Sequence, residues 1–590
     1  MTAACCGIIA TSLSPRLSRL ARCHMNSSPL ASILGCLLVA SLGSPLLAQS
    51  DQQGKHQFSF SNVSDSTGVQ ALLDGIRGHA ACWGDADGNG FPDLYVGTFH
   101  TAGLPNQLLR NVDGAFELDP QPVLQISSRP TGALLVDLDN DGDLDLYVSS
   151  MPASSDSKLA ARTGRTLRGC SLFENLGEGR FRDVSRGNGA CPVAFGGRSA
   201  AASDFNGDGR LDLLVGEDPL AGYNGSETSS SRIFKNLGDL RFEDVSAEVG
   251  LPAGIPGLGV TAADVNGDGW PDIFLAGTGD SNRLFLNDSH GRFVEHPDNA
   301  EVFAWRGAGG DNMVCGVTIA DTNGDALPDI ILAQHFERPW EEPVANRLYL
   351  NRGTKAGLPR FEDVTERAGL LPLPMKTPHV EVQDFDNDGR PDLFASMAKF
   401  DGKDVHPLIF HHDGTRDGIP QYSQTALAVN DFPNESDRSI RRSGTFFSKM
   451  LQEGKVIYTA PAPSCDFDRD GRLDILMASW WPESPSLLLQ NQTMGGNWLD
   501  IQVQGDGEVN AQGVGSRVLV YKSGKLGDSN ALLGCREITV GSGYASGHEA
   551  AVHFGLGSLN EVDVEVLLPH NRGAIRRQGV HANQRLIVSR

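Results

Sequence analysis

Short apolar runs recur along this chain, each entered from an acidic, glycine-bearing stretch. Leu94-Tyr95-Val96, Ile273-Phe274-Leu275 and Leu393-Phe394 are apolar at successive rather than alternating positions, the pattern of strands covered on both faces. In most repeats a second strand then ends at Asn, as in Asn282 to Asn287 and Asn346 to Asn351. A turn leads on to a third element: Phe181-Arg182-Asp183-Val184-Ser185, Phe242-Glu243-Asp244-Val245-Ser246 or Phe361-Glu362-Asp363-Val364-Thr365. A short apolar strand, such as Val260-Thr261-Ala262-Ala263, precedes each acidic stretch, so every repeat predicts about four strands. With 69 Gly and 31 Pro marking the turns, the chain reads as all-β, and 590 residues are too many for a single core.

The acidic stretch is a nine-residue pattern that occurs seven times. Positions 1, 3, 5 and 9 are Asp85, Asp87, Asn89 and Asp93 in the first copy, and Asp137, Asp139, Asp141 and Asp145 in the second. The third has Asp204, Asn206, Asp208 and Asp212; the fourth has Asp264, Asn266, Asp268 and Asp272. The fifth has Asp321, Asn323, Asp325 and Asp329; the sixth has Asp384, Asp386, Asp388 and Asp392. The seventh has Asp466, Asp468, Asp470 and Asp474. Position 6 is Gly except for Ala326 in the fifth copy, which makes that loop the weakest of the seven. Successive copies start 52, 67, 60, 57, 63 and 82 residues apart.

Alternating acids on a loop that curls at a glycine can converge on one point, and a hard cation with six to eight oxygen ligands suits that geometry. Three or four like charges per loop would otherwise repel one another. The pattern therefore predicts up to seven structural Ca²⁺ ions; Mg²⁺ prefers a strict octahedron and fits less well. An EF-hand is excluded, because its loop needs Glu at position 12 and these loops have Val96, Val148, Val215, Leu275, Leu332, Ala395 or Met477 there. The alternative for a single such loop is an Asx-rich turn; seven in register argue against it.

Four-strand units in sevens suggest a propeller, with an open solenoid as the alternative. Phe58 to Val69 resembles the last element of a repeat but precedes the first loop, and the seventh repeat lacks that element after Leu487 to Asn491. The N-terminal strand is therefore expected to complete the seventh blade.

The formal charge is −24. Arg16, Arg19 and Arg22 followed by the apolar stretch Leu30 to Ala48 read as a signal peptide over residues 1–48. An uncleaved anchor and a lipoprotein start at Cys36 are the alternatives. Removing the leader takes away three Arg and no acid, so −24 becomes −27. Such a chain should seek neither nucleic acid nor anionic membrane, and no later segment is apolar enough to span one. The implied location is secreted, periplasmic or cell-surface. Six cysteines remain; Cys170 and Cys191 are the only close pair and are expected to form a disulfide, while Cys82, Cys315 and Cys465 lie on or beside predicted buried strands.

The loops and strands over 56–491 resemble the FG-GAP/VCBS repeats of integrin-α-type propellers. Residues 495–590 resemble the ASPIC/UnbV domain, through Asn497-Trp498-Leu499, Gly513 to Val518, Arg536-Glu537-Ile538 leading to Gly543-Tyr544, His553 to Gly557, and Asn583-Gln584. Together they resemble the cartilage acidic protein family. The resemblance implies a seven-bladed propeller followed by a small β-rich domain in a secreted, calcium-binding protein. It also implies that the acidic loops join the first and second strands of each blade on one face. The opposite face would then gather Trp305, His335, Trp340, His379, Trp480 and Trp481, candidates to meet a protein or glycan ligand.

Catalytic patterns are lacking. His548 and His553 are five apart, one too many for a zinc-binding helix face, and no phosphate-binding loop or Gly-x-Ser-x-Gly elbow is present. The reading is a binding or adhesion scaffold rather than an enzyme. The alternative is a polysaccharide-active lyase or hydrolase with its site on the face opposite the acidic loops.

Overall fold

A computed structural model describes residues 58–590 apart from 100–103, 127, 152–168, 193–194, 218–229, 279–280, 306–311, 425–426 and 442. The leader assigned to residues 1–48 lies outside the described residues.

Seven antiparallel sheets succeed one another along the chain. The fourth is representative: Gly259–Ala263, Asp272–Ala276, Arg283–Asn287 and Phe293–Glu295 pair in order. Its second strand is entirely buried, as the unbroken apolar run requires. First strands are rich in Gly and Ala because neighbouring blades approach closely there. A Cβ on Gly84 would lie 2.8 Å from Leu135 Cβ, and one on Gly132 would lie 2.8 Å from the Arg198 carbonyl oxygen. The acidic loops join first to second strands throughout.

The ring closes through the N-terminal strand. Phe60–Asn62 pairs antiparallel with Leu487–Asn491, Phe60 opposite Asn491, and supplies the outermost strand of the seventh sheet. The seventh blade then packs on the first: Trp83 donates from its indole nitrogen to the Pro463 carbonyl (3.1 Å), and Gly78 donates to that of Ser479 (2.7 Å). The architecture is a seven-bladed β-propeller.

The segment after the sixth blade forms Glu435–Ser439 and Phe446–Gln452, two short helices, and the strand Val456–Tyr458, which pairs with Asp392–Asp401. Asn434 caps the first helix in a capping box with Asp437.

Residues 497–589 build two further sheets. Asn497–Gln504 pairs with Val552–Gly557 and Gln584–Ser589; Arg517–Lys522 pairs with Leu532–Glu537 and Glu561–Leu567, with Ala574–His581 beyond. Their facing valines and isoleucines, among them Ile501, Val503, Val518, Val520 and Val564, form a core that continues into the second and third blades. Propeller and C-terminal sheets belong to one compact unit, His56–Arg590.

Candidate functional site

The seven acidic loops share one hydrogen-bond plan. The position-1 carboxylate accepts from the position-6 amide in every copy: Gly90 to Asp85, Gly142 to Asp137, Gly209 to Asp204, Gly269 to Asp264, Ala326 to Asp321, Gly389 to Asp384 and Gly471 to Asp466, all at 2.8–2.9 Å. Position 5 accepts from the position-7 amide, as in Asp268 from Trp270 (2.9 Å). The Ala326 loop closes like the rest, but with a side chain at φ 64°.

Position 9 does more than close the loop. One oxygen of Asp145 accepts from Leu138 (3.1 Å), the other from the amide of Asn175 on the third strand (2.9 Å). The Asn175 side chain donates in turn to the Ala86 carbonyl of the preceding blade (2.8 Å) and to that of Leu144 (3.1 Å). Asn111, Asn236, Asn287, Asn351 and Asn491 repeat this staple toward Phe467, Leu138, Phe205, Val265 and Phe385. The sixth blade has His412 instead, and there the Tyr422 hydroxyl reaches the Pro391 carbonyl (3.5 Å).

Several loops bring carboxylate oxygens within 4.8 Å of one another: Asp85, Asp87 and Asp93; Asp137, Asp139 and Asp145; Asp384, Asp386 and Asp392. In the sixth, His411 joins Asp386 and Asp388 from the third strand, an addition the nine-residue pattern does not contain. Burial first and neighbouring carboxylates second push Asp384 up to about 8. Burial, with the Asp87 and Asp139 charges helping, pushes Asp93 up to about 7 and Asp145 up to about 8. Asp137 Oδ1 and Asp139 Oδ1 are buried without a hydrogen-bond partner. These residues could hold a hard cation.

The C-terminal domain sits on this loop face. Asp137 donates its amide to Gln512 Oε1 (2.8 Å), Asp264 donates to Glu537 Oε2 (3.1 Å), and Arg517 donates to the Ala326 carbonyl (2.8 Å). Trp498 lies over Gly471, where a Cβ would come within 1.9 Å of the indole. Glu549 takes Arg469 (2.8 Å) and Arg585 (3.0 Å). Burial would raise its pKa, but the two guanidiniums hold it well below the usual carboxylate range.

From this domain Gly541–Gly547 (Gly-Ser-Gly-Tyr-Ala-Ser-Gly) enters the centre of the ring. Gly543 and Val317 exchange backbone hydrogen bonds (2.8 and 3.2 Å). Thr261 Oγ1 donates to the Gly541 carbonyl (3.0 Å), and Ser546–Gly547 adds a parallel strand to Gly78–Gly84. The glycines are required by the bore: a Cβ on Gly541 would lie 2.4 Å from the Ala200 oxygen and one on Gly547 2.5 Å from that of Ala133. A latch holds the plug. The Tyr544 amide donates to His379 Nδ1 (2.9 Å), so Nε2 carries the proton and donates to Glu381 Oε1 (3.0 Å). His548 Nε2 meets the same oxygen (2.6 Å). His379, Glu381 and His548 converge like metal ligands, but a metal on Nε2 would leave His379 an imidazolate, so the group is a hydrogen-bonded latch. His553 turns away to Asn387 Oδ1 (2.7 Å).

Comparison with known proteins agrees with this architecture. The FG-GAP-like repeat family matches residues 85–148, 161–215, 220–275 and 264–332, and the ASPIC and UnbV family matches residues 506–590. Cartilage acidic protein 1 of Homo sapiens is 29% identical over 455 residues, 75% of this chain and 60% of that protein. The Xenopus tropicalis protein of the same name is 26% identical over 513 residues, 83% of this chain and 70% of its own length. This chain is similar to the cartilage acidic proteins. The chain spans about 60% of the length of the human and mouse relatives it matches. Among solved structures, the exotype rhamnogalacturonan lyase YesX is similar at 13% identity and TM-score 0.36, over 71% of this chain and 72% of that one.

The six aromatic and histidine candidates scatter. Trp305 is a core residue against Phe336 (ring centroids 5.0 Å), and His379 belongs to the latch, fully buried. Trp340 stacks under Arg438, and Trp481 packs on Phe446, both serving the helical insertion. His335, Trp480 and Trp481 do line a cavity of about 370 Å³ on the face away from the acidic loops. The disulfide expected between Cys170 and Cys191 is corrected: Cys170 is a buried free thiol turned to the Ser150 carbonyl (3.9 Å), beneath the close approach of Gly197. The plug was not foreseen, although its Gly-x-Gly-x-x-x-Gly spacing is the signal that a backbone must pass through a narrow space.

Proposed function

We propose that this protein is an extracellular calcium-binding scaffold, secreted, periplasmic or cell-surface, that binds a protein or glycan on the face opposite its acidic loops. The orphaned, buried oxygens of Asp137 and Asp139 carry the calcium reading, because buried carboxylate oxygens without donors are unfavourable unless a cation meets them. Positions 1, 3, 5 and 9, with a carbonyl from position 7, would hold the ion in each loop. Bound Ca²⁺ supplies charge compensation and a fixed corner. The chain's own contribution is to converge these oxygens and tie position 9 to the next strand, so that loop, blade and staple stiffen together. The C-terminal domain, seated on the loops, would then depend on them for its footing. Among the described residues no helix is long and apolar enough to cross a membrane.

Chelation tests this. Ions that bind only the folded state stabilise it by mass action. EDTA should lower the melting temperature, Ca²⁺ should restore it, and Mg²⁺ at equal concentration should restore less. Elemental analysis after dialysis should find several calcium ions per chain. An EDTA-insensitive melt with no bound calcium would overturn the reading.

A further inference from the structure

The turn that joins Glu561–Leu567 to Ala574–His581 carries a histidine with an unused nitrogen. This turn, Pro569–Asn571 and the residue after it, touches both the third and the fourth acidic loops. His570 donates its amide to the Gly269 carbonyl (2.7 Å), and Asn571 donates its side-chain amide to the Asp268 carbonyl (2.8 Å). Arg572 donates from its guanidinium to the Gly207 carbonyl (2.6 Å). To make these contacts His570 and Asn571 both take φ 56°, a left-handed conformation that residues other than glycine seldom adopt, least of all in succession.

The His570 side chain is 4% exposed and stands edge-on to Trp270, ring centroids 4.4 Å apart. Nε2 lies 2.9 Å from the Asp204 carbonyl oxygen, which can only accept, so Nε2 carries the proton. Nδ1 is left with its lone pair. It is buried, has no hydrogen-bond partner, and faces Asp204 Oδ2 at 3.7 Å. Two acceptors facing each other away from water are unfavourable. A doubly protonated ring would donate to that carboxylate, and charge-assisted hydrogen bonds close to about 2.7–2.9 Å. The observed gap is nearer to the span of two ligand bonds across a metal, about 3.4 Å for bonds of about 2.1 Å at a tetrahedral angle. Arg572 Nη1 lies 3.8 Å from the same oxygen, held there by the carbonyls of Gly207 and Glu508.

We propose that His570 completes the third acidic loop as a zinc-class site, its Nδ1 joining Asp204 on one divalent ion and so tying the C-terminal domain to the propeller. The inference deepens the reading of the acidic loops as cation sites, and rests on it. The nitrogen makes the difference: Ca²⁺ takes oxygen ligands, whereas neutral imidazole suits Zn²⁺ and its first-row neighbours. At the fourth loop the C-terminal domain offers no such donor, because there Arg517 Nη1 lies 4.0 Å from Asp264 Oδ2. His411 of the sixth loop and the two histidines of the latch also stand beside carboxylates, so the ion is assigned by substitution rather than by count.

The test uses the full chain, stripped with EDTA, reloaded with excess Ca²⁺ and titrated with Zn²⁺ by calorimetry. Zn²⁺ should bind at a site that excess Ca²⁺ does not fill. His570→Asn keeps a residue tolerant of positive φ and removes the nitrogen; it should weaken that site at least tenfold while keeping the calcium-dependent melting shift. On the unaltered protein, Zn²⁺ should slow amide hydrogen exchange over residues 568–573. Equal zinc affinity in His570→Asn, or exchange over that stretch unmoved by zinc, would overturn the inference. Should His570→Asn fail to fold, Arg572→Met removes the cation beside Asp204 and should tighten zinc at least threefold; unchanged or weaker binding there would overturn it equally. A protein that keeps its calcium-dependent melting shift but shows no His570-dependent zinc would refute this inference alone. One that lacks the shift and keeps the His570-dependent zinc would count against calcium alone.

Discussion

Asn491 is the staple of the ring-closing blade, and replacing it by alanine should loosen that closure measurably. Its side chain donates to the Phe385 carbonyl (2.8 Å) and the Leu473 carbonyl (3.1 Å) and accepts from the Thr493 amide (2.9 Å), with no solvent exposure. Asn491→Ala orphans all three groups, and each buried orphan costs about 1–3 kcal/mol. Allowing for relaxation and for water entering the space, the loss is about 3–6 kcal/mol. Unfolding entropy near 2.1 cal/mol/K per residue over roughly 530 cooperative residues converts this to a fall of about 3–5 °C in melting temperature. The assay is calorimetric melting at saturating calcium, where the loops are held constant. Asn491→Asp makes the complementary perturbation, since it keeps the acceptor and loses both donors; it should fall at least as far. A shift under 1 °C for both variants would refute the staple as a load shared between blades.

Other outcomes follow from the same geometry. Ala326 holds φ 64°, a conformation costing a non-glycine residue about 1–2 kcal/mol, so Ala326→Gly should raise the melting temperature and tighten calcium at the fifth loop; no gain in either would refute the strain argument. Gly543→Val, at a site where a Cβ would lie 2.3 Å from His379 Cε1, should expel the plug and expose Gly541–Gly547 to proteolysis; a protease-resistant variant would contradict the fit. In EDTA, stability should fall between about pH 7 and 8.5. Asp145 and Asp384 have folded pKa values of about 8, so over that window the folded state holds protons that the unfolded chain, titrating near 4, has already released. Buried neutral His79 and His335 act in the opposite sense only below about pH 6.5, so the alkaline limb is diagnostic. A melting temperature that rises from pH 7 to 8.5 in EDTA would rule this out.

What the sequence discloses and what it conceals divide along a physical line. The loops are legible because four carboxylate or carboxamide positions at fixed offsets have few structural uses, and the four-strand units follow from runs such as Leu94 to Val96. Ring closure was legible too, because Phe58 to Val69 repeats an element out of place. Contacts between distant segments were not. Nothing local to His379 indicates that its ring will receive the Tyr544 amide, 165 residues later. Trp305 looked like a surface aromatic because its neighbours are loops, yet the fold uses it as packing. The position-9 aspartate was read as a loop ligand alone; its second task, holding a third-strand amide, depends on sheet pairing that composition does not encode. Cys170 and Cys191 are close in sequence, but the thiol of Cys170 turns toward the Ser150 carbonyl instead.

The outermost strand of the seventh blade has a consequence for how this molecule comes to exist. Phe60–Asn62 must wait for Leu487–Asn491, more than 420 residues later in synthesis, before its backbone finds a partner. Until then the first six blades form an open arc with an unsatisfied edge at either end, a state prone to pairing with other chains. Such a long-range closure is intrinsically slow. The plug can be seated only after the ring it fills, so assembly has an order: arc, clasp, then core pin. A permuted chain that places Phe60–Asn62 after Asn491 through a short turn should fold faster while keeping the same blades, because the clasp becomes a local hairpin.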